Sequence, residues 1–275
     1  MSEAERVVCT IIDGVADVRL NRPEKRNALD NAMFRALVET GERLKEDASV
    51  RAVVLSGEGK AFCAGLDFSS FQAMITEAPA PARDPDSVRS LGDRSDGRKT
   101  NLGQQAAYVW TEMPVPVIAA VRGHALGGGL QIALGADLRF VTPDAQLSVL
   151  EVRWGLIPDM TGTHMLRRLL PLDVAKELVW TGRMVSGTEA VELGLATRVC
   201  DDPLADALEL ARALAAQSPD ALRAGKRLLN QSGLVGDAQQ FTDESREMGT
   251  LIGSPNQQEA VRAFLEQRDA KFVDP

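Results

Sequence analysis

Residues 115–134, VPVIAAVRGHALGGGLQIAL, run from one apolar segment through a glycine loop into a second apolar segment. Glycine costs about 1 kcal/mol in a helix interior. Three in succession, Gly127, Gly128 and Gly129, therefore mark a boundary where backbone N–H groups lie open and another group can approach closely. The apolar run before them reads as a short buried strand and the run after them as a helix. The same order stands at residues 50–68, VRAVVLSGEGKAFCAGLDF, with a strand at Ala52–Leu55 leading into a glycine-rich loop. A third strand is expected at Asp137–Thr142. Strands alternating with helices place the chain in the α/β class.

Upstream, VVCTII and VADVRL flank Asp13-Gly14, a dipeptide suited to a tight hairpin turn. Asp30 is then a candidate N-cap for a helix in which Met33, Leu37, Gly41 and Leu44 recur at helical spacing. Residues 76–103 lose every apolar period and fill with Pro, Gly, Ser and charge. They read either as a surface insertion or as a mobile segment beside a site. From Pro203 onward the pattern is wholly helical, punctuated by Ser218-Pro219 and Ser254-Pro255. The expected organisation is a core over 1–202 followed by a helical region over 203–275.

A net charge of −8 argues against a broad basic surface for nucleic acid or an anionic membrane. Cys9, Cys63 and Cys200 are odd in number and far apart, so neither a disulfide framework nor a zinc site is expected. The start, MSEAERVVCT, lacks the pattern of a secretory signal, and no apolar run approaches the ~20 residues of a membrane span. A cytoplasmic setting is the resulting expectation.

Each glycine loop follows an apolar strand and brings backbone N–H groups to the strand's C-terminal end, where ligands gather in α/β folds. Two such groups converging on one oxygen would form an oxyanion hole; tight packing or a turn would use the same glycines. Neither loop carries GxGxxG, and no GxxxxGK[ST], GxSxG or HExxH stands in the chain. Dinucleotide, nucleotide-phosphate, serine-hydrolase and zinc-protease readings lose support accordingly.

AFCAGLD, GHALGGGLQIALGADLRF and AQLSVLEVRWGLIPDMTGTHMLRRL, in that order, strongly resemble the crotonase superfamily of enoyl-CoA hydratases and isomerases. VRLNRPEKRNALD near the start and AFLEQRD near the end resemble it too. The resemblance implies a spiral of ββα units with a C-terminal helical trimerisation region, in a homotrimer or a dimer of trimers. It implies an acyl-CoA thioester as substrate and no other cofactor. Carried over, the oxyanion donors are the backbone N–H groups of Leu66 and Gly128. Arg26, Ala28, Leu29 and Ala64 become candidates for contact with CoA, Arg26 being equally readable as a solvated surface charge. Asp67 joins that group, as a residue that caps or orients its loop rather than reacts. Arg268 and Lys271 offer charge for CoA from a neighbouring subunit. Trp110 is expected in the acyl-pocket wall.

In the hydratases of the superfamily two glutamates hold the water that adds to the double bond. One position carries Gln131 in this chain, and an amide accepts no proton at neutral pH. The other matches Glu151, whose apolar neighbours Val149, Leu150, Val152 and Trp154 would raise a carboxyl pKa toward a proton-shuttling range. Asp159 stands eight residues further on, the offset at which the dienoyl-CoA isomerases of the superfamily place a second acid. Those isomerases also carry an acid where Gln131 stands, so the match is partial. Asp159 is equally readable as the N-cap of the helix through TGTHMLRRLL.

Three readings follow. Glu151 alone moves a proton between carbons of an enoyl-CoA; or Glu151 acts with Asp159 or Gln131 in a hydratase or dienoyl isomerase; or the chain is a non-catalytic acyl-CoA-binding oligomer. Proton-transfer isomerisation is the favoured one.

Overall fold

A computed structural model describes residues 5–69, 72 and 99–275. Most of the expected insertion lies outside these residues. Its end does not: Asn101 and Gln104 form a reciprocal capping box at the start of helix α2 (Leu102–Glu112).

Strands β1 (Val7–Ile12) and β2 (Val15–Leu20) form the expected antiparallel hairpin. Its turn residues Asp13 and Gly14 adopt φ of 50° and 77°, which the tight twisted turn requires. Helix α1 (Asn31–Glu46) begins where Asp30 accepts the Met33 N–H at 2.8 Å, and buries Met33, Phe34, Leu37, Val38 and Leu44 along one stripe. β3 (Ala52–Gly57), β4 (Val117–Val121), β6 (Leu138–Val141) and β9 (Arg198–Val199) extend the sheet in parallel, giving the order β1-β2-β3-β4-β6-β9. β5 (His124–Leu126), β7 (Gln146–Ser148) and β8 (Val185–Ser186) form a second, smaller sheet. β1-β2-α1 is one ββα unit, and β4-β5 with helix α3 (Gly128–Leu134) is another.

The central strands are apolar throughout because both faces of the large sheet are covered. Val53, Leu55, Val117, Ala119 and Val121 pack in one core with residues of α1, α2 and α3. Their alternates Ala52, Val54, Ile118 and Ala120 pack in a second core against Ala207, Ala211 and Ala215. These alanines belong to α7 (Pro203–Ala215), so the helical region past residue 202 begins as part of the packed body. Between α3 and α7 lie α4 (Gly162–Leu169), α5 (Leu172–Thr181) and α6 (Gly187–Leu193). Three helices follow α7: α8 (Pro219–Gln231), α9 (Asp237–Leu251) and α10 (Pro255–Leu265). Lys226 of α8 ties this layer to the sheet, donating to Asp137 Oδ2 at 2.7 Å and to the Val115 carbonyl at 2.9 Å. No helix among the described residues is long and apolar enough to cross a membrane.

Candidate active site

The two glycine loops are stitched together by backbone bonds. Cys63 N–H donates to His124 O at 2.9 Å, and Leu126 N–H to Cys63 O at 3.0 Å. The 26–29 segment joins them: Leu29 N–H donates to Gly65 O at 2.8 Å and Asp67 N–H to Leu29 O at 2.9 Å.

This pairing sets the direction of the Leu66 amide. A trans peptide is planar, with its C=O and N–H pointing opposite ways. Gly65 O faces Leu29, so the Leu66 N–H of the same peptide faces away from it. Gly127 O likewise accepts the Gln131 N–H at 3.0 Å, inside the first turn of α3, which turns the Gly128 N–H outward from the helix end. Among the described residues neither amide donates to another group. Gly65, at φ 88°, brings the loops close enough that a Cβ there would stand 2.7 Å from Leu126 O and 3.9 Å from Gly128 N. Any side chain at 65 would push the two amides apart.

Glu151 lies in a 3-10 turn (Leu150–Trp154) directly after β7. It is 8% exposed, and a Cβ built on Gly127 would meet its Oε1 at 3.4 Å. The carboxylate therefore stands against the backbone one residue before the Gly128 amide. Its Oε1 accepts the Gln131 Nε2–H at 2.5 Å, whereas Oε2 is buried with no protein partner. Gln131 is itself buried, and its Oε1 accepts two backbone N–H groups, from Met160 at 2.8 Å and Gly162 at 2.9 Å. Those two donors fix which end of the amide is oxygen, and leave the nitrogen end for Glu151. Burial raises the Glu151 pKa above its usual value; the Gln131 bond pulls it down and the nearby Asp159 charge pushes it up.

Asp159 is not a helix cap. α4 starts at Gly162, with Thr161 at the N-cap in a left-handed conformation (φ 68°) and no side-chain capping bond. The turn over Met160 and Gly162 is held by Gln131, which does what a cap at 159 was expected to do. Asp159 is left on the surface, with its pKa raised by partial desolvation and its charge within reach of Glu151.

The candidate CoA residues cluster beside the Leu66 loop. Ala28 and Leu29 are buried, Arg26 is exposed, and the Ala64 N–H donates to Arg26 O at 2.9 Å. Asp67 has both oxygens engaged: Oδ1 accepts Ser69 N–H at 2.9 Å and Ser69 Oγ–H at 2.7 Å, and Oδ2 accepts a short bond from Arg22.

Residues 10–275 match the family described as enoyl-CoA hydratase/isomerase. A human protein, enoyl-CoA hydratase domain-containing protein 2, mitochondrial, is 38% identical over 267 residues, spanning 94% of this chain and 86% of its own. The chain is an enzyme of the enoyl-CoA hydratase/isomerase family. Another member, the rat Delta(3,5)-Delta(2,4)-dienoyl-CoA isomerase, mitochondrial, is 33% identical over 270 residues, spanning 94% of this chain and 79% of its own. The crystal structure of an enoyl-CoA hydratase from Polaromonas sp. JS666 aligns with a TM-score of 0.85 at 30% identity, covering 97% of this chain and 99% of that one. The crotonase resemblance and the α/β spiral it implied both hold for this family member.

Two further residues read from the sequence have partners within the chain. Trp110, expected in the acyl-pocket wall, is fully buried in the core, its indole N–H bonded to Ala106 O at 3.0 Å. Arg268, expected to offer charge to CoA from a neighbouring subunit, pairs within its own chain with Glu259 at 2.6 Å and Glu266 at 2.7 Å. Sequence reading missed two residues. Asn27, fully buried at φ 56°, accepts the Arg22 N–H through Oδ1 and donates through Nδ2 to Ala61 O at 2.9 Å. Its tolerance of left-handed backbone was the signal available in NRPEKRN. Arg22 carried no such signal.

Proposed function

We propose that the chain moves a proton between carbons of an enoyl-CoA thioester, with Glu151 as the base that becomes the acid. The observation that supports this reading is the commitment of both ends of Gln131. Its oxygen serves two backbone N–H groups and its nitrogen serves Glu151. No second proton acceptor is left at that position, and one carboxylate oxygen, Glu151 Oε2, has no protein partner among the described residues and lies next to Gly127, the residue before the Gly128 amide.

In this mechanism Glu151 Oε2 takes a proton from a carbon of the acyl chain. The electron pair moves through the conjugated carbons to the thioester oxygen, which the Leu66 and Gly128 N–H groups receive as an enolate. Each such donor is worth about 3–4 kcal/mol of barrier. The protonated Glu151 then returns the proton to another carbon, and the double bond has moved. A base with a raised pKa accepts a carbon-bound proton better than an ordinary carboxylate, and gives it back readily. Arg26, Ala28, Leu29 and Ala64 would contact the CoA portion. No cofactor beyond the thioester itself enters the scheme.

A second reading has one specific support: the Asp159 charge acts on Glu151. It makes the pair a hydratase or a dienoyl isomerase. The discriminating experiment supplies 2-enoyl- and 3-enoyl-CoA esters and measures both double-bond migration and 3-hydroxyacyl-CoA formation. Migration faster than hydration is expected. Hydration as the dominant outcome would displace the first reading in favour of the Glu151–Asp159 pair.

We also propose a homotrimer or a dimer of trimers, because the C-terminal helices expose Phe241, Met248, Ile252, Val261, Phe264 and Leu265. Light scattering of the full chain would overturn this with a monomer mass.

A further inference from the structure

The Arg22 side chain is only 14% exposed, and its Nη1 donates to two groups at once: Asp67 Oδ2 and, at 3.1 Å, the Ala28 carbonyl. Asp30 Oδ2 lies 3.6 Å from the same nitrogen. Around these bonds runs a closed backbone circuit. Leu29 N–H holds Gly65 O, Asp67 N–H holds Leu29 O, and Ala64 N–H holds Arg26 O. Leu66 sits inside that circuit, its own N–H facing away from Leu29 and, among the described residues, donating to no other group. Its direction is therefore only as firm as the seam between 26–29 and 64–67. Arg22 is the side chain that spans both halves of the seam.

We propose that Arg22 is a positioning residue for the Leu66 N–H, clamping Asp67 and Ala28 together so that the oxyanion donor is aligned before substrate arrives. The inference rests on the proposed enolate chemistry for its catalytic consequence, but not for its structural one. The guanidinium suits the task because the two N–H groups of Nη1 are held in one plane and so point at their two acceptors in fixed directions, whereas the donors of an ammonium rotate freely. Preorganised donors are effective because they need no rearrangement as charge develops.

The test compares wild type with Arg22→Gln, Arg22→Lys and Arg6→Gln. Arg6 pairs with Asp30 at 2.9 Å and serves as a control ion pair one step further from Leu66. Hydrogen exchange on the ligand-free protein reads the seam directly. In Arg22→Gln, exchange over residues 64–69 is expected to speed by about tenfold or more, with residues 127–131 unchanged. With an enoyl-CoA substrate, Arg22→Gln should lose about 10- to 100-fold in kcat with KM within about threefold. The near-ultraviolet absorbance of acetoacetyl-CoA enolised on the protein should weaken in parallel. Arg22→Lys should fall between the two, and Arg6→Gln should keep kcat within about twofold.

If Arg22→Gln leaves the exchange of 64–69 unchanged, or keeps full kcat and full enolate absorbance, the assignment is overturned. So is it if Arg6→Gln matches Arg22→Gln in every readout, which would mark a general stability effect. A wild type that neither turns over nor enolises acetoacetyl-CoA would instead remove the proposed function, while the exchange arm still decides whether Arg22 holds the loop.

Discussion

Replacing Gln131 by methionine keeps the length of the side chain and removes both of its hydrogen-bonding ends. Two backbone N–H groups, those of Met160 and Gly162, now bond to Gln131 Oε1 at 2.8 and 2.9 Å in a buried setting. Each buried donor left unsatisfied costs about 1–3 kcal/mol, and apolar packing by methionine offsets part of that. A net loss of about 2–4 kcal/mol is expected. The perturbation also has an electrostatic half. The Gln131 bond at 2.5 Å lowers the Glu151 pKa against the raising effect of burial. Without it the carboxylate is protonated more easily, so the acid limb of kcat/KM should move to higher pH. Urea unfolding at fixed protein concentration measures the first effect, and a pH–rate profile on one enoyl-CoA ester measures the second. A stability loss under about 1 kcal/mol, or an acid limb that stays in place or moves down, would refute the role given to Gln131.

Three further outcomes follow from the same geometry. Glu151→Gln removes a charge that burial disfavours; below the ordinary carboxyl value of 4.5 both states are protonated and the variant gains nothing, whereas above it the wild type alone carries the penalty. The variant should therefore melt higher than wild type at pH 7 and equally near pH 4, by calorimetry. Asp67 behaves in the opposite sense: burial would raise its pKa, but Ser69 and Arg22 outweigh burial and hold it at about 2, against an ordinary 3.8. Its contribution is present above the ordinary value and lost as pH falls through about 2, and amounts to about 1–2 kcal/mol after allowance for solvent screening. Acid unfolding should show that much less pH dependence in Asp67→Asn. Asp159→Asn, which breaks no cap, should leave stability within about 0.5 kcal/mol and shift the acid limb of Glu151 to lower pH. A drop in kcat beyond about 100-fold there would promote Asp159 to the second acid.

Local chemistry was the legible part of this chain. Asp30, Ser218 and Ser254 were readable as helix starts, and each accepts a backbone N–H three residues on. The glycine loops were readable because their backbone needs are written in the glycines themselves. Strands buried on both faces were readable as continuous apolar runs. Asp159 misled as a cap candidate because its local sequence looks like that of the true cap Asp30. What distinguishes them is Gln131, about thirty positions away, holding the 160–162 turn from outside. Arg22 was invisible for the same reason, since its partner Asp67 lies 45 residues on. Trp110 was expected in the acyl-pocket wall from the family resemblance, and only the packing of α1 against α2 shows that it is buried in the core. The helical pattern past residue 202 did not reveal that α7 closes the second face of the sheet, because small alanines carry little signal of their own.

The central claim is that Glu151 moves a proton at carbon next to an enolate-stabilising pair of amides. Deuterium exchange tests it without reference to the final product. Wild type incubated in D2O with an enoyl-CoA ester should place deuterium on the acyl chain at the carbons joined by the migrating double bond, read by mass spectrometry and proton NMR. Glu151→Gln, folded and still binding the ester, should incorporate it about 100- to 10,000-fold more slowly. Incorporation at the wild-type rate in that variant would contradict the account.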